Sequence, residues 1–275
     1  MAMDDKVNYL NRPEGRIAYS LQGDGPLVVA VPGMGDLRST FREFVPPLVA
    51  AGYRVAVIDL RGQGDSDTGF ADLGDVGNAT DVIALIEQLG GPAVVLGNSM
   101  GGASAAWAAA ERPELVKGIV LFGGFLRQPK ANAATLAAVR LLYRVALAGP
   151  WGAAFWGSYY RSLNKGTQAP WLDEQVRAIV ANLREPGRLR SFRQLALQLD
   201  HTPVEKRNAE LVAPVLSFVG DADPDFPDQK GEVEFLSRFG RSMLVEGAGH
   251  YVQAQRPDIA LPLTLDFVAT AFARA

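Results

Sequence analysis

The sequence predicts an α/β protein with a mostly parallel central sheet flanked by helices. Short apolar runs alternate along the chain with longer segments of helical periodicity. Most of the short runs lack polar alternation, which is typical of strands covered by helices on both faces. This alternation stops between residues 126 and 211, where only helical periodicity is found. The pattern therefore predicts a helical insertion into an α/β core.

The candidate strands are short and rich in aliphatic residues. The first two, around Val7–Asn11 and Arg16–Leu21, flank Pro-Glu-Gly and predict an antiparallel hairpin at the sheet edge. The others are Leu27–Val31, Tyr53–Ile58, Ala93–Leu96, Ile119–Phe122, Val215–Val219 and Ser242–Val245. The helices predicted between them are Thr40–Ala50, Val76–Leu89, Met100–Ala110 and Gln229–Phe239.

Helical spacing recurs within the interruption. One apolar series runs from Leu172 to Leu183 and a second from Leu189 to Leu199. Prolines separate these helices, at Pro129, Pro150, Pro170, Pro186 and Pro203. We expect a core made of residues 1–125 and 212–275 and an inserted helical lobe over 126–211. The alternative is that these helices belong to the main domain.

Composition excludes several classes of protein. The chain has no cysteine and only two histidines, so it offers no disulfide, no thiolate nucleophile and no three-histidine metal site. A net charge of −3 offers no basic surface for nucleic acid. The acidic start and the lack of a run of ~18 apolar residues argue against a signal peptide and a membrane span. We expect a cytoplasmic protein that acts on a small molecule, with no nucleic-acid or membrane partner.

The motif Gly97-Asn98-Ser99-Met100-Gly101 follows a predicted strand and opens a predicted helix. This is G-x-S-x-G in the setting where it holds a nucleophilic serine. The glycines are needed because a Cβ beside so tight a turn would meet neighbouring backbone. The alternative is an ordinary glycine-rich turn with an uninvolved serine.

A serine hydroxyl needs a base to remove its proton. His250 follows the last predicted strand, in Gly249-His250-Tyr251, and a loop there lies at the same sheet edge as Ser99. His201 lies at the end of the helical stretch, where a surface or packing role is expected. His250 is therefore the candidate base.

The base needs a carboxylate to orient its ring. The loop after Val215–Val219 contains four aspartates, at positions 221, 223, 225 and 228. The loop after Ile119–Phe122 begins Gly123-Gly124-Phe125 and offers no acid. The orienting carboxylate is accordingly expected within residues 221–228, which gives the chain order Ser, Asp, His.

Together these segments resemble the α/β-hydrolase-fold serine hydrolases over nearly the whole chain. Besides Ser99 and His250, the resemblance includes Gly220-Asp221-Ala222-Asp223 and the loop Asp59–Ser66, which is structural in that family. It implies Asp223 as the orienting acid, with Asp225 and Asp221 as alternatives. It also implies that the helical insertion is a cap above the pocket.

The resemblance further implies an oxyanion hole formed by the backbone N–H groups of Met34 and Met100. Relatives usually have histidine before the glycine of the loop that follows the third strand, where this chain has Pro32-Gly33. Proline lacks an N–H and fixes φ, so it affects the path of the loop. Met34 would donate through its backbone N–H, so this part of the oxyanion hole does not depend on a particular side chain.

Two other motifs fail on inspection. Asp221, Asp223, Asp225 and Glu232 have the spacing of a calcium loop, but Phe226 stands where a glycine is needed. Gly62-Gln63-Gly64 lacks the third glycine of a dinucleotide fingerprint. No metal and no cofactor is therefore predicted.

The predicted reaction is hydrolysis of a carboxylic ester or lactone through an acyl-enzyme. Aromatic residues of the insertion favour an apolar substrate, although most of them are expected to form the core of that lobe. Because the base must be neutral, activity should fall as the pH drops through roughly 6–7. The alternatives are C–C bond hydrolysis, perhydrolysis, or a receptor-like relative with vestigial turnover.

Overall fold

An eight-stranded sheet forms the centre of the protein. The computed structural model describes residues 6–129 and 132–273. The strands are Asn8–Arg12 (β1), Gly15–Gln22 (β2), Leu27–Val31 (β3), Arg54–Ile58 (β4), Ala93–Asn98 (β5), Val116–Phe122 (β6), Val215–Gly220 (β7) and Gly240–Val245 (β8). Their order in the sheet is β1-β2-β4-β3-β5-β6-β7-β8. Strand β2 pairs antiparallel with β1 and β4, and all other pairs are parallel. The predicted hairpin and mostly parallel sheet are confirmed.

Helices connect the parallel strands. The α-helices are Val45–Ala50 (α1), Asp75–Gln88 (α2), Met100–Glu111 (α3), Ala133–Ala146 (α4), Gly152–Leu163 (α5), Leu172–Leu183 (α6), Arg188–Gln198 (α7), Thr202–Glu205 (α8), Gln229–Leu236 (α9), Val252–Gln255 (α10) and Pro257–Ala273 (α11). Within the described part of the chain, no helix combines the length and apolar character needed to cross a membrane.

The sheet is buried on both faces, which explains the unbroken apolar runs. Successive residues of β5 illustrate this arrangement: Val94 packs into the core beneath α1 and α11, whereas Val95 packs into the core formed with α2 and α3. All residues of β3, β5 and β7 are buried, while β8 at the edge is largely exposed. Burial on both faces removes the polar positions that a one-sided sheet would show.

Two segments differ from the sequence prediction. The helix predicted over Thr40–Ala50 is a short 3₁₀ turn at Arg38–Phe41 followed by α1, whose first turn contains two prolines. Proline suits a first turn because its missing N–H has no intrahelical partner there. The long helix α11 was not predicted. Its buried residues Ala260, Thr264, Val268 and Ala271 follow helical spacing, so the signal was present in the sequence.

Helices α4 to α8 fill the chain between β6 and β7, and the described residues there form no strand, as predicted. Their core contains Trp156, Tyr160 and Phe192, each 1% exposed, with the rings of Trp156 and Phe192 4.6 Å apart. Trp151, in contrast, is exposed. The domain boundaries at residues 126 and 211 stay a prediction.

Phe218 provides a test of the core, because its buried ring stacks on Phe122 with centroids 5.4 Å apart. Phe218→Ala should lower the free energy of unfolding by about 3–5 kcal/mol, through lost burial and a residual cavity. Leu244→Ala, at a partly exposed position of β8, should cost less than about 1 kcal/mol. Guanidinium unfolding of both variants measures the difference. Equal losses would contradict the packing described here.

Candidate active site

Ser99 occupies a strained turn between β5 and α3. Its φ of 52° and ψ of −122° make it the only non-glycine residue with positive φ in the described ranges. Such a conformation costs about 1–3 kcal/mol and persists where the surrounding structure imposes it. The turn places the serine side chain at the carboxyl edge of the parallel sheet, the usual position of sites in such sheets.

The flanking glycines permit this turn. A Cβ on Gly97 would lie 2.5 Å from the Gly101 carbonyl oxygen, and one on Gly101 would lie 2.3 Å from the Val31 carbonyl oxygen. Neither contact can be relieved by a side-chain rotation, because both partners are backbone atoms. The spacing of G-x-S-x-G is therefore a steric requirement of the turn in this chain.

The loop after β8 places His250 beside Asp223. The ring nitrogen Nδ1 of His250 lies 2.8 Å from Oδ2 of Asp223, and both side chains are almost fully buried. The His250 backbone is fixed on two sides: its N–H donates to the Leu163 carbonyl at 3.0 Å, and its carbonyl accepts from the Asn98 side chain at 3.2 Å. Asn98 directly precedes Ser99, so this contact connects the loop to the strained turn.

The three aspartates nearest in sequence occupy different surroundings. Asp223 accepts from Nδ1 of His250, whereas Asp221 is exposed and accepts from the Gly247 N–H at 2.9 Å. Asp225 lies near the other ring nitrogen, with Oδ2 3.6 Å from Nε2 of His250. Geometry thus favours Asp223 as the orienting acid over both alternatives.

Ser99 and His250 are not joined by a hydrogen bond. Nε2 of His250 is buried and has no hydrogen-bond partner among the described residues. The Ser99 hydroxyl likewise takes part in none of the described hydrogen bonds. Such contacts often tighten only when substrate binds. The structure therefore brings the two residues to one sheet edge through Asn98, and their direct contact stays a prediction.

The loop Pro32–Asp36 occupies the position expected for the oxyanion hole. A turn closes it, with the Asp36 N–H donating to the Gly33 carbonyl at 3.2 Å. The Met34 N–H has no acceptor among the described contacts. Met100 is the first residue of α3, where an N–H has no intrahelical acceptor. Both groups are thus available as donors, and their role as an oxyanion hole stays a prediction.

Residues far away in sequence hold this loop from both sides. The Gly35 N–H donates to the Gln63 side chain at 2.5 Å, and the Gly35 carbonyl accepts from the Trp156 indole at 3.0 Å. Gln63 belongs to the Asp59–Ser66 loop and Trp156 to the helical insertion. These contacts define the path of the loop despite Pro32, and sequence analysis predicts neither of them.

Asp36 adds a second connection to the insertion. Its buried carboxylate accepts from the Tyr160 hydroxyl at 3.1 Å and from the Gln175 amide at 2.7 Å. Burial raises the pKa of Asp36 to about 6, although these hydrogen bonds act in the opposite direction. Two polar groups of the loop, the Gly35 carbonyl and the Asp36 carboxylate, therefore have hydrogen-bond donors in the insertion.

His201 does not lie at the surface. It is buried, its Nδ1 lies 2.7 Å from Oδ2 of Asp75, and its ring stacks on Phe125 at 4.6 Å. The surface alternative for this histidine is wrong, and the packing alternative is correct. Asp75 is 126 positions away in the chain, so no local pattern could have revealed the pair.

The four carboxylates of the calcium-like motif do not meet at one point, because two of them have partners elsewhere. Glu232 pairs with Arg127, and Asp221 binds the backbone of Gly247. Among the described residues, Asp223, Asp225 and His250 are the one group whose ligand atoms lie within 4.8 Å of one another. Within that group, the short contact is the hydrogen bond between Nδ1 of His250 and Oδ2 of Asp223. Both of these atoms are therefore already engaged with each other.

The carboxylates around His250 change its proton affinity. Burial lowers the pKa of the imidazole, because it removes the charged form from water. Asp223 and Asp225 act in the opposite direction and prevail, so the pKa is raised from 6.5 to about 9. With this pKa, the loss of activity expected from the sequence through roughly pH 6–7 would occur at a higher pH.

Comparison with known proteins identifies the family. The profile of the alpha/beta hydrolase family matches residues 28–260. The chain belongs to this family. The Burkholderia ambifaria alpha/beta hydrolase fold protein is similar in structure, with a TM-score of 0.83 over 96% of this chain and 99% of that one, at 23% identity. That likeness supports the fold alone.

Two relatives of this hydrolase differ in the reaction that their names describe. The first is a 2-hydroxy-6-oxononadienedioate/2-hydroxy-6-oxononatrienedioate hydrolase of Comamonas testosteroni, 30% identical, with 96% of this chain and 91% of the relative covered. The second is a pimeloyl-acyl-carrier-protein methyl ester esterase of Neisseria meningitidis, 28% identical, with 88% of this chain and 93% of the relative covered.

The raised pKa of His250 predicts an alkaline pH profile. Below about pH 9, kcat/KM should rise tenfold per pH unit, since only the neutral base accepts a proton. At neutral pH most of the enzyme would therefore have a protonated base. A pH–rate profile with an uncharged ester measures this. A plateau that is already reached at pH 7 would contradict it.

Trp156→Phe should remove the hydrogen bond from the indole N–H to the Gly35 carbonyl while keeping an aromatic ring in the insertion. We expect kcat to fall by about tenfold with a smaller change in KM, because misplaced oxyanion donors act on the transition state. Trp151→Phe, at an exposed position of the same insertion, is the matched control and should leave both constants unchanged. Equal effects of the two substitutions would argue against support of the loop by Trp156.

Proposed function

We propose that this hydrolase cleaves carboxylic esters or lactones of small to medium apolar substrates, with Ser99, His250 and Asp223 as its catalytic residues. The observation that supports the proposal most is the buried 2.8 Å contact between Asp223 and Nδ1 of His250. A carboxylate there fixes the tautomer in which Nε2 accepts a proton. Ser99 lies in its strained turn at the same sheet edge, next to the residue that binds the His250 carbonyl.

The first half of the reaction forms an acyl-enzyme. The Ser99 oxygen attacks the carbonyl carbon while its proton passes to Nε2 of His250. The backbone N–H groups of Met34 and Met100 bind the negative oxygen of the tetrahedral intermediate. The C–O bond to the alcohol then breaks, and the leaving oxygen takes the proton from Nε2.

The second half releases the acid. A water molecule gives its proton to Nε2 of His250 as its oxygen attacks the acyl carbon. The tetrahedral intermediate collapses, the bond to the Ser99 oxygen breaks, and that oxygen recovers its proton from Nε2. The Asp223 carboxylate stabilises the imidazolium that forms twice in each cycle.

Aromatic rings near the base support an apolar substrate. The ring centroids of Phe125 and Phe226 lie 6.1 Å and 6.4 Å from that of His250, and the two phenylalanine rings are 5.0 Å apart. We infer that the helical insertion serves as a cap over the candidate active site. Its hydrogen bonds with Gly35 and Asp36, in the loop that follows β3, support this inference.

The second candidate function is C–C bond hydrolysis of a 2-hydroxy-6-oxo-dienoate. It is supported by the 30% identity to the Comamonas testosteroni hydrolase over 96% of this chain. Ester cleavage is supported by the Neisseria meningitidis esterase, at 28% identity over 88% of this chain. Both reactions would use the same serine and histidine, so only substrates can separate them.

Labelling with a fluorophosphonate tests the nucleophile. The wild-type protein should be labelled at Ser99, and Ser99→Ala should lose both label and activity. His250→Ala should reduce turnover by several orders of magnitude, because the serine then lacks its base. His201→Ala is the control for loss of an imidazole. Equal labelling of wild type and Ser99→Ala would exclude Ser99 as the nucleophile.

A substrate panel then separates the two candidate reactions. It comprises p-nitrophenyl esters of rising chain length, lactones, and 2-hydroxy-6-oxo-6-phenylhexa-2,4-dienoate. The proposal expects higher kcat/KM for medium-chain esters or lactones than for the dienoate. The opposite order would favour C–C bond hydrolysis with the same residues.

A further inference from the structure

Asp225 places a second carboxylate against the candidate base. Its Oδ2 lies 3.6 Å from Nε2 of His250, whereas Asp223 contacts Nδ1 of the same ring. Nε2 is the atom that exchanges protons with the serine and the leaving group in the proposed reaction. The Asp225 carboxylate therefore adjoins the space through which the leaving group must pass.

Other contacts hold Asp225 in this position. Its backbone N–H donates to Oδ1 of Asp223 at 2.9 Å, and its Oδ1 accepts from the Tyr159 hydroxyl at 3.4 Å. The first contact fixes the Asp225 backbone, and the second connects its carboxylate to Tyr159 of α5 in the insertion. These two contacts keep the carboxylate on the same side of the loop as the His250 ring.

The Asp225 carboxylate is poorly compensated. Within the described part of the chain, its one cationic partner at 4.0 Å or less is His250, and no lysine or arginine pairs with it. Burial raises the pKa of Asp225, and nearby Asp223 adds to this, whereas a positively charged His250 lowers it. Placing such a charge in a largely buried site is costly, so a structural role alone does not explain it.

We propose that Asp225 is a specificity-determining residue that excludes anionic leaving groups from the space beside Nε2 of His250 and favours neutral or cationic ones. This inference rests on the proposed serine hydrolase function. It also bears on the second candidate function, because the dienoate substrates named for the relatives are carboxylate anions.

The size of the effect follows from distance. A leaving oxygen must come within about 3 Å of Nε2 to receive its proton. A carboxylate attached one carbon beyond that oxygen would then lie roughly 6 Å from Asp225. With an effective dielectric constant of about 20, repulsion at that distance should make an anionic substrate react roughly a hundredfold more slowly than a neutral one. Partial exposure of Asp225 to solvent reduces this to about ten- to a hundredfold.

Three butyrate esters that differ in the charge of the leaving alcohol test the proposal. Carboxymethyl butyrate releases an anion, carbamoylmethyl butyrate is its neutral analogue of similar shape, and choline butyrate is cationic. Acid release is followed in a pH-stat at one fixed alkaline pH. For the wild type we expect kcat/KM of the neutral ester to exceed that of the anionic ester by about tenfold or more.

Asp225→Asn removes the charge and keeps the shape of the side chain. It should reduce the neutral-to-anionic ratio of kcat/KM by about tenfold and lower the relative rate of the choline ester. Asp228→Asn is the matched control, since this exposed aspartate caps α9 and asparagine can keep the cap. The control should keep the wild-type ratio. Asp225→Ser provides a second variant without charge and should behave as Asp225→Asn.

The outcomes separate this inference from the function on which it rests. If the wild type cleaves the neutral and anionic esters equally well, or if Asp225→Asn leaves their ratio unchanged, Asp225 does not set charge specificity. The serine hydrolase function would then stand. If the wild type cleaves none of the three esters and Ser99 is not labelled by a fluorophosphonate, the proposed function fails and this inference fails with it.

Discussion

The buried hydrogen bond between Asp223 and His250 is the interaction on which the rest of the site depends. It requires three loops to meet at the carboxyl ends of β6, β7 and β8. A Cβ on Gly220 would lie 2.1 Å from the Gly249 carbonyl, and one on Gly123 would lie 3.0 Å from Nδ1 of His250. Glycines at these positions permit the approach, because any side chain there would separate the carboxylate from the ring.

The helical insertion contributes more than a cover above the pocket. Trp156 binds the Gly35 carbonyl, Tyr160 and Gln175 bind the Asp36 carboxylate, and Tyr159 contacts Asp225. The loop expected to bind the oxyanion and the carboxylate beside Nε2 are thus both attached to it. Buried polar groups are costly to leave unpaired, so a displaced insertion would disturb both parts of the site.

The sequence allowed prediction of the features that depend on local pattern. The strands follow from apolar runs, and Ser99 and His250 from glycine-rich turns after strands. Asp223 was reached only through the family pattern, since the residues alone restricted the acid to one loop. The contacts of Trp156 with Gly35 and of His201 with Asp75 join positions 121 and 126 residues apart. They arise from the packing of distant elements, and no local spacing predicts them.

The central claim is that the His250 ring carries its fixed proton on Nδ1 and exchanges the other at Nε2. Because the chain has only two histidines, this can be measured. Nitrogen-15 NMR of labelled protein, with His201→Ala used to assign the signals, follows both ring nitrogens during a pH titration. We expect Nδ1 of His250 to stay protonated at every pH and Nε2 to lose its proton near pH 9. Loss of the proton from Nδ1, or titration of Nε2 below pH 7, would contradict the account.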